Sequence, residues 1–341
     1  MIDAEIQIPA LKAVTMDDIA RLARVSKPTV SRVMSGGAAV SADARARVLA
    51  VAAEHGYAVN RQARKLRQAR VNTVAVVLDF GSHRAGRIAD PFVFELLAGV
   101  SEALSVRDQD LLLSPAGLVD AAAHADLVRA RGADGFIFLG QGDRERLFVD
   151  LARTGSPFVV WGAADGAARY CTVGTDNRLG GRLAGEHFVK RAATRWLFVG
   201  DTSHVEIAMR YEGLCAVACC HANVRVERLS VPHLGYTSTH ASVAAYLAHG
   251  GEADAVFAFS DTAAMAIIAA FRETGRTSPR DFAVVGYNDI PPAAHFTPAL
   301  TTVEQPTHLA GAILVERLMQ AIEGARAPAA VLPTRLVLRE T

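Results

Sequence analysis

Arg32 stands in the run Val25-Ser26-Lys27-Pro28-Thr29-Val30-Ser31-Arg32-Val33, and the chemistry of this run is that of a helix offered to a polyanion. An arginine fork fits guanine O6 and N7 in a major groove, a bidentate pair worth roughly 1–3 kcal/mol of discrimination. Ser26, Thr29 and Ser31, with Thr15 upstream, are short hydroxyls of the kind that place a helix on phosphates. Lys27 adds a cation, and Pro28, without a side-chain donor or acceptor, offers only apolar contact. The plainer alternative is a surface helix of a globular domain with no nucleic acid partner.

These side chains need a helix to hold them. Ser26 is a good N-cap, Pro28 fits the first turn because its missing N–H has no partner there, and Thr29 to Ser35 can propagate. Val30, Val33 and Met34 form an apolar stripe, which leaves Lys27, Ser31 and Arg32 on the other face. Upstream, Thr15 and Asp18 make a capping-box-like start for a helix carrying Ile19, Ala20, Leu22 and Ala23. Two short helices joined at Ala23-Arg24-Val25 make a helix-turn-helix. Ser41 can cap a third helix whose Val48, Leu49 and Ala52 close the small core, with Gly56 as its stop. Beyond it Asn60 caps a short basic helix through Ala63 and Leu66, and Leu66, alone among cations, suits a minor-groove wedge.

The order and spacing of Val-Thr, Asp-Ile-Ala, Val-Ser-x-x-Thr-Val-Ser-Arg-Val, Gly-Tyr, Asn-Arg and Ala-Arg-x-Leu resemble the headpiece and hinge of the lactose-repressor (LacI) family of bacterial transcription regulators. The remaining chain resembles that family's effector-binding core. The resemblance implies base reading by Lys27, Pro28 and Arg32, phosphate contacts from Thr15, Ser26, Thr29 and Ser31, and hinge contacts from Asn60, Ala63 and Leu66. The sequence departs from the family at Arg24, where Gly is frequent, and at Ser35, where some relatives have Asn. A positive φ at Arg24 would add some strain without forbidding the turn.

The distribution of charge points the same way. The chain has a net charge of +1, yet residues 1–70 carry 12 Lys plus Arg against 6 Asp plus Glu, and the rest carries 24 against 29. A basic front and an acidic rear put the polyanion partner at the N-terminus. Met1 to Ala13 has neither the apolar stretch nor the cleavage pattern of a secretory signal, and no run is long enough for a membrane span, so a cytoplasmic protein without membrane contact is expected. Cys171, Cys215, Cys219 and Cys220 lack the paired spacing of a metal cluster, even with His221 alongside, and are expected to be buried small hydrophobes.

After Arg70 apolar runs of strand length recur: Thr73 to Leu78, Asp110 to Leu113, Gly135 to Leu139, Phe158 to Trp161, Cys171 to Thr175, Trp196 to Val199, Val224 to Val231, Ala255 to Phe259 and Phe282 to Tyr287. Between them lie helical patterns such as Phe92 to Val106, Ala121 to Arg131, Arg178 to Arg191, Val205 to Cys220, Thr262 to Thr274 and Leu309 to Ile322. Alternation of this kind predicts an α/β fold of two Rossmann-like parallel-sheet lobes, periplasmic-binding-protein-like by the resemblance, behind a small all-α helix-turn-helix headpiece. The expected organisation is a tail at 1–13, a headpiece at 14–59, a hinge helix and linker at 60–70, and a core at 71–341. Within the core the first lobe is expected at about 71–175 and 306–333, and the second at about 176–305 and 334–341, joined by a crossover at Pro298 to Pro306.

Open parallel sheets bind ligands at the carboxyl ends of their strands. There the resemblance selects Phe92 at a Pro-Phe helix start, Asp176 before Asn177, Arg210 in an Arg-x-x-Gly motif, Asp261, and Asn288, where many relatives have Asp. Trp161 ends a strand and could stack on a sugar or base, or simply pack in the core; either Asp176 or Asn177 could serve as a helix N-cap without touching a ligand. His83, Arg84 and Arg87 could hold an anion, although cations in a long loop are more often solvated.

The reading that joins these observations is a regulator, expected to be a repressor, that binds a double-stranded, pseudo-palindromic operator as a homodimer. A small-molecule effector in the core, a sugar, sugar acid or related metabolite, would control it, with no cofactor. The competing class is an α/β enzyme acting on a sugar-like metabolite. Against it, the sequence has no Gly-Lys-Ser/Thr phosphate loop, no Gly-x-Ser-x-Gly elbow and no His-Glu-x-x-His pair, and Gly140-Gln141-Gly142 is too short for a dinucleotide fingerprint. A solute-binding protein for transport would share the core but need an export signal and no headpiece.

Overall fold

The computed structural model describes residues 14–34, 40–57, 70–78, 90–114, 120–142, 144–164, 166 and 168–341. Ser35, Asn60, Ala63, Leu66, His83, Arg84 and Arg87, and with them most of the expected hinge, lie outside the described residues. The chain forms two compact units, Met1–Arg70 and Val71–Thr341.

The first unit contains α1 (Met16–Leu22), α2 (Lys27–Met34) and α3 (Ala42–Glu54). Thr15 and Asp18 close a reciprocal capping box on α1, and the hydrogen bonds from Thr15 hold the Asp18 carboxyl well below the usual range, at about 2. Ile19, Val30 and Val48, one from each helix, are fully buried together. The turn between α1 and α2 passes through Arg24 at φ +54°, so this chain places an arginine in a left-handed position that glycine fills at no steric cost. Leu49 departs from expectation: it is 49% exposed, because Ala44, Val48 and Ala52, spaced by four, form the buried face of α3 and Leu49 lies about 100° round the helix.

In the second unit the chain runs β1 (Thr73–Leu78), α4 (Pro91–Ser105), β2 (Asp110–Leu113), α5 (Ala121–Arg129), β3 (Gly135–Leu139), α6 (Glu145–Arg153), β4 (Phe158–Trp161) and β5 (Thr172–Thr175). It continues through α7 (Asn177–Lys190), β6 (Arg195–Val199), α8 (Val205–Ala218), β7 (Arg225–Leu229), α9 (Tyr236–Ala248), β8 (Ala255–Ala258) and α10 (Asp261–Glu273). It ends with β9 (Ala283–Asn288), α11 (Pro291–His295), β10 (Thr302–Glu304), α12 (Thr307–Ile322), β11 (Ala330–Leu332) and β12 (Leu336–Val337). One six-stranded sheet has the order β11-β5-β4-β3-β1-β2 and is parallel throughout. The other has the order β12-β10-β9-β8-β6-β7, parallel except where β12 runs against β10.

Strands β3, β4, β5, β8 and β9 are buried at every residue, as parallel strands covered on both faces must be. The chain passes between the sheets three times, from β5 to α7, from β10 to α12 and from β11 to β12. Close helix pairs depend on glycine. A Cβ on Gly99 would come 2.7 Å from the Thr307 carbonyl oxygen, and a Cβ on Gly181 or Gly213 would overlap the Arg210 or Arg178 carbonyl oxygen. The last two glycines let α7 and α8 pack backbone to backbone, which sets Arg210 beside the start of α7.

The cysteines differ from expectation. Cys171 is buried, which pushes its thiol up to about 11, but Cys215 is half-buried and Cys219 and Cys220 are exposed. Helix α8 ends at Ala218, so the adjoining pair lies on its solvated end. Among the described residues no group of three or more His, Cys, Asp or Glu could hold a metal ion, and no helix is long and apolar enough to cross a membrane.

Candidate nucleic-acid face and ligand cleft

On α2 the buried stripe of Val30 and Val33 leaves Ser26, Lys27, Pro28 and Arg32 exposed, with Thr29 and Ser31 half-buried beside them. Ser26 opens the helix: its carbonyl accepts from Thr29 and Val30, and its hydroxyl lies 2.9 Å from the Thr29 hydroxyl. Lys27 is engaged by Asp17 of α1 at 2.7 Å, an exposed pair of the kind worth under about 1 kcal/mol. Thr15 is exposed but shares its hydroxyl with Asp18. The start of α1 and the length of α2 therefore carry two cations and four hydroxyls that are exposed or half-buried.

In the second unit a cavity of about 150 Å³ opens at the carboxyl ends of the strands of both sheets. From the first sheet's side come Phe92, Val93 and Leu96 of α4, Leu139 at the end of β3 with Gly140 to Gly142 after it, and Trp161 of β4. Phe92 and Trp161 are 8% and 7% exposed, with ring centres 5.9 Å apart and a 48° tilt. Trp161 is thus both packed and lining the cleft. Gln141 fixes this rim, accepting from Ala163 N–H at 3.0 Å and donating to the Tyr170 hydroxyl at 3.0 Å.

The opposite wall is polar. Arg210 is 8% exposed; its Nε donates to Asn177 Oδ1 at 2.9 Å, its Nη1 donates to the Phe259 carbonyl at 2.6 Å, and its guanidinium lies 3.6 Å from the centre of the Tyr287 ring. These three partners are neutral, so among the described residues the cation is desolvated without a carboxylate fixed on it, a state that favours acceptor-rich ligands. Asn177, His204, Glu206, Ser260, Asn288 and Gln305 line the same wall. Gln305 Nε2 donates to Asn288 Oδ1 at 2.7 Å, and its Oε1 accepts from Thr175 at 2.9 Å.

Of the residues expected in this site, Phe92, Trp161, Arg210 and Asn288 line the cavity. Asp176 and Asp261 are placed differently. Asp176 is the N-cap of α7, accepting from Leu179 N–H at 2.8 Å, and its neighbour Asn177 faces the cavity instead. Asp261 is fully buried, accepts from Ile290 N–H at 2.9 Å and from the Thr302 hydroxyl, and has its carboxyl pushed up to about 8 by burial. Sequence reasoning passed over Asn177, Ser260 and Gln305, each next to or near a residue it named. It also passed over Glu206, which precedes Arg210 by four residues on the same face of α8, and His204, the N-cap of that helix; both line the cavity.

The cleft does not stand in for a chemistry; its relatives do. Residues 15–60 match the family model described as bacterial regulatory proteins, lacI family, and residues 186–341 match a periplasmic binding protein-like domain. Among curated proteins, the HTH-type transcriptional regulator CelR of Thermobifida fusca is 32% identical over 96% of this chain and 98% of its own length. The ribose operon repressor of Haemophilus influenzae is 26% identical over 91% of this chain and 92% of its own. A crystal structure of the lac repressor dimer bound to operator and the anti-inducer ONPF matches 97% of this chain and 99% of its own at TM-score 0.83 and 26% identity. A CelR–cellobiose complex matches 96% and 99% at TM-score 0.67 and 30% identity. With relatives that match more than nine-tenths of its length and are named as regulators, this chain belongs to the lacI family of bacterial regulatory proteins and is a transcriptional regulator, not an enzyme.

Proposed function

We propose that this regulator is a cytoplasmic repressor that binds a pseudo-palindromic operator as a homodimer and is controlled by a small sugar or sugar acid in the cleft of its second unit. The observation that carries the reading is Arg210, a desolvated cation opposite an aromatic pair: a ring with one apolar face and a hydroxylated edge satisfies both walls at once. The binding of operator by the lac repressor dimer, and of cellobiose by CelR, supports the same reading by likeness.

The headpiece contacts are Thr15, Ser26, Lys27, Pro28, Thr29, Ser31 and Arg32, with Asn60, Ala63 and Leu66 in the hinge at 60–70. One headpiece reads one half-site, so two related by a two-fold axis add their phosphate contacts and match a palindrome. Effector and operator then influence each other reciprocally, with a coupling of about 1–3 kcal/mol.

The test is a mobility shift of full-length protein on palindromic duplexes, with and without cellobiose or ribose. Binding that weakens steeply with salt and changes with one sugar supports the reading. Indifference to every duplex at low salt would overturn it.

A further inference from the structure

Asn288 and Asp289 are consecutive non-glycine residues in the left-handed half of conformational space, at φ +117° and +57°. Such backbone persists only where its surroundings hold it, and Asn288 lines the cleft. Three holds converge on this turn. Gln305 donates its backbone N–H to the Asn288 carbonyl at 3.2 Å and its Nε2 to Asn288 Oδ1 at 2.7 Å, which leaves the Asn288 Nδ2 donor without a partner among the described residues. Ile290 N–H is anchored on the buried Asp261.

The third hold comes from the end of the chain. Arg339 Nη2 donates to Asp289 Oδ1 at 2.7 Å while its Nη1 donates to the Leu300 carbonyl at 2.9 Å, and its own N–H donates to Thr301 Oγ1 at 3.1 Å. The Arg339 and Asp289 side chains are 19% and 18% exposed, so the pair is largely withdrawn from water. A planar fork can span a carboxylate and a carbonyl at fixed separation, which a single ammonium does less well. Arg339 itself does not line the cleft.

We propose that Arg339 is a positioning residue for ligand recognition: through Asp289 it holds Asn288 in the conformation that turns its amide Nδ2 to the cleft. The proposal rests on the reading that this cleft takes a small-molecule effector. Arg339 would set affinity without touching the ligand, and its loss would leave operator binding by the effector-free protein unchanged.

The experiment uses the full-length protein and Arg339→Ala, Arg339→Lys, Asp289→Ala and the Arg339→Ala/Asp289→Ala double variant. Without ligand, hydrogen exchange of residues 287–291 is expected to speed up about ten-fold in Arg339→Ala, with exchange at β8 unchanged. Titration with cellobiose and ribose is expected to show about ten-fold weaker binding of whichever sugar the parent binds, partial recovery in Arg339→Lys, and a double variant no worse than either single one. Unchanged exchange at 287–291, or unchanged affinity despite faster exchange, would overturn the proposal. If the parent binds neither sugar, and a wider sugar screen also gives no thermal shift, the cleft reading fails separately and the exchange comparison alone decides the clamp. Should Arg339→Ala not fold, Arg339→Gln, which keeps donors but no charge, takes its place.

Discussion

The guanidinium of Arg210 lies flat enough on Tyr287 to sit 3.6 Å from its ring centre, and both side chains are buried. Burial raises the Tyr287 hydroxyl above its usual range, so the ring stays neutral and its π-face helps to hold the cation. Arg210→Ala is expected to lower effector affinity about 10- to 100-fold, from the loss of charge-assisted hydrogen bonds, while effector-free operator binding is kept. Titration calorimetry beside a mobility shift separates the two.

On the other unit, Arg32→Ala is expected to cost roughly 1–3 kcal/mol of discrimination between operator variants and to leave the unfolding midpoint of the headpiece unchanged, since the side chain is exposed. Competition between matched and mismatched duplexes measures it. A variant that discriminates like the parent would remove Arg32 from the base-reading set.

Asp17→Asn offers a sharper variant of the same test. Releasing Lys27 from its exposed partner is expected to change stability by less than about 0.5 kcal/mol and to tighten operator binding with a steeper salt dependence. Unaltered affinity and salt slope would mean that Lys27 is not presented to the duplex.

Two buried groups give pH dependences of opposite sign. Burial raises the Asp261 carboxyl from 3.8 to about 8, so its stabilising contribution is complete below about pH 4 and is lost as pH rises toward 8, because only the unfolded chain releases the proton in that window. Asp261→Asn is expected to flatten this part of the stability profile, read by denaturant unfolding from pH 5 to 8. His124 is buried against Phe136 and Phe138, its Nε2 has no hydrogen-bond partner among the described residues, and burial lowers its basicity. Below pH 6.5 the unfolded chain binds a proton that the folded one refuses, so stability falls on acidification. His124→Leu is expected to reduce that fall; an identical acid profile would exclude His124 as its source.

Gly213→Ala places a methyl group against the Arg178 carbonyl and is expected to cost about 1–3 kcal/mol. Because the same helix pair seats Arg210 against Asn177, effector affinity should fall with it. A thermal melt and a sugar titration on one sample show whether the two losses travel together.

Much of this was legible in the residues because strong local signals agreed with one another. Thr15 with Asp18, Ser26 with Pro28, and Ser41 with Gly56 marked helix ends by capping chemistry, and continuous apolar runs marked the buried parallel strands. Helix α9 was not read, since it opens on Tyr-Thr-Ser-Thr, residues whose weak helix preference is overridden by packing. The short strands β10 and β11 have three residues each; β10 is held between β9 and the late strand β12, and β11 pairs with β5, far earlier in the chain. Within the cleft, the family resemblance pointed to Arg210 and the end of an apolar run pointed to Trp161, but whether a carboxylate faces a ligand or a helix end depends on the local backbone turn. That turn separates Asp176 from Asn177, and it buries Asp261 behind Ser260.

The three passages of the chain between the sheets mean that neither half of the second unit is one unbroken stretch. During synthesis the sheet begun by β1 lacks its outermost strand, β11, until every strand of the other sheet except β12 has been made, and β12 follows just after it. A ribosome that stalls after α12 therefore releases two incomplete sheets rather than one finished half and one missing half. One short stretch, residues 330–337, thus closes both sheets.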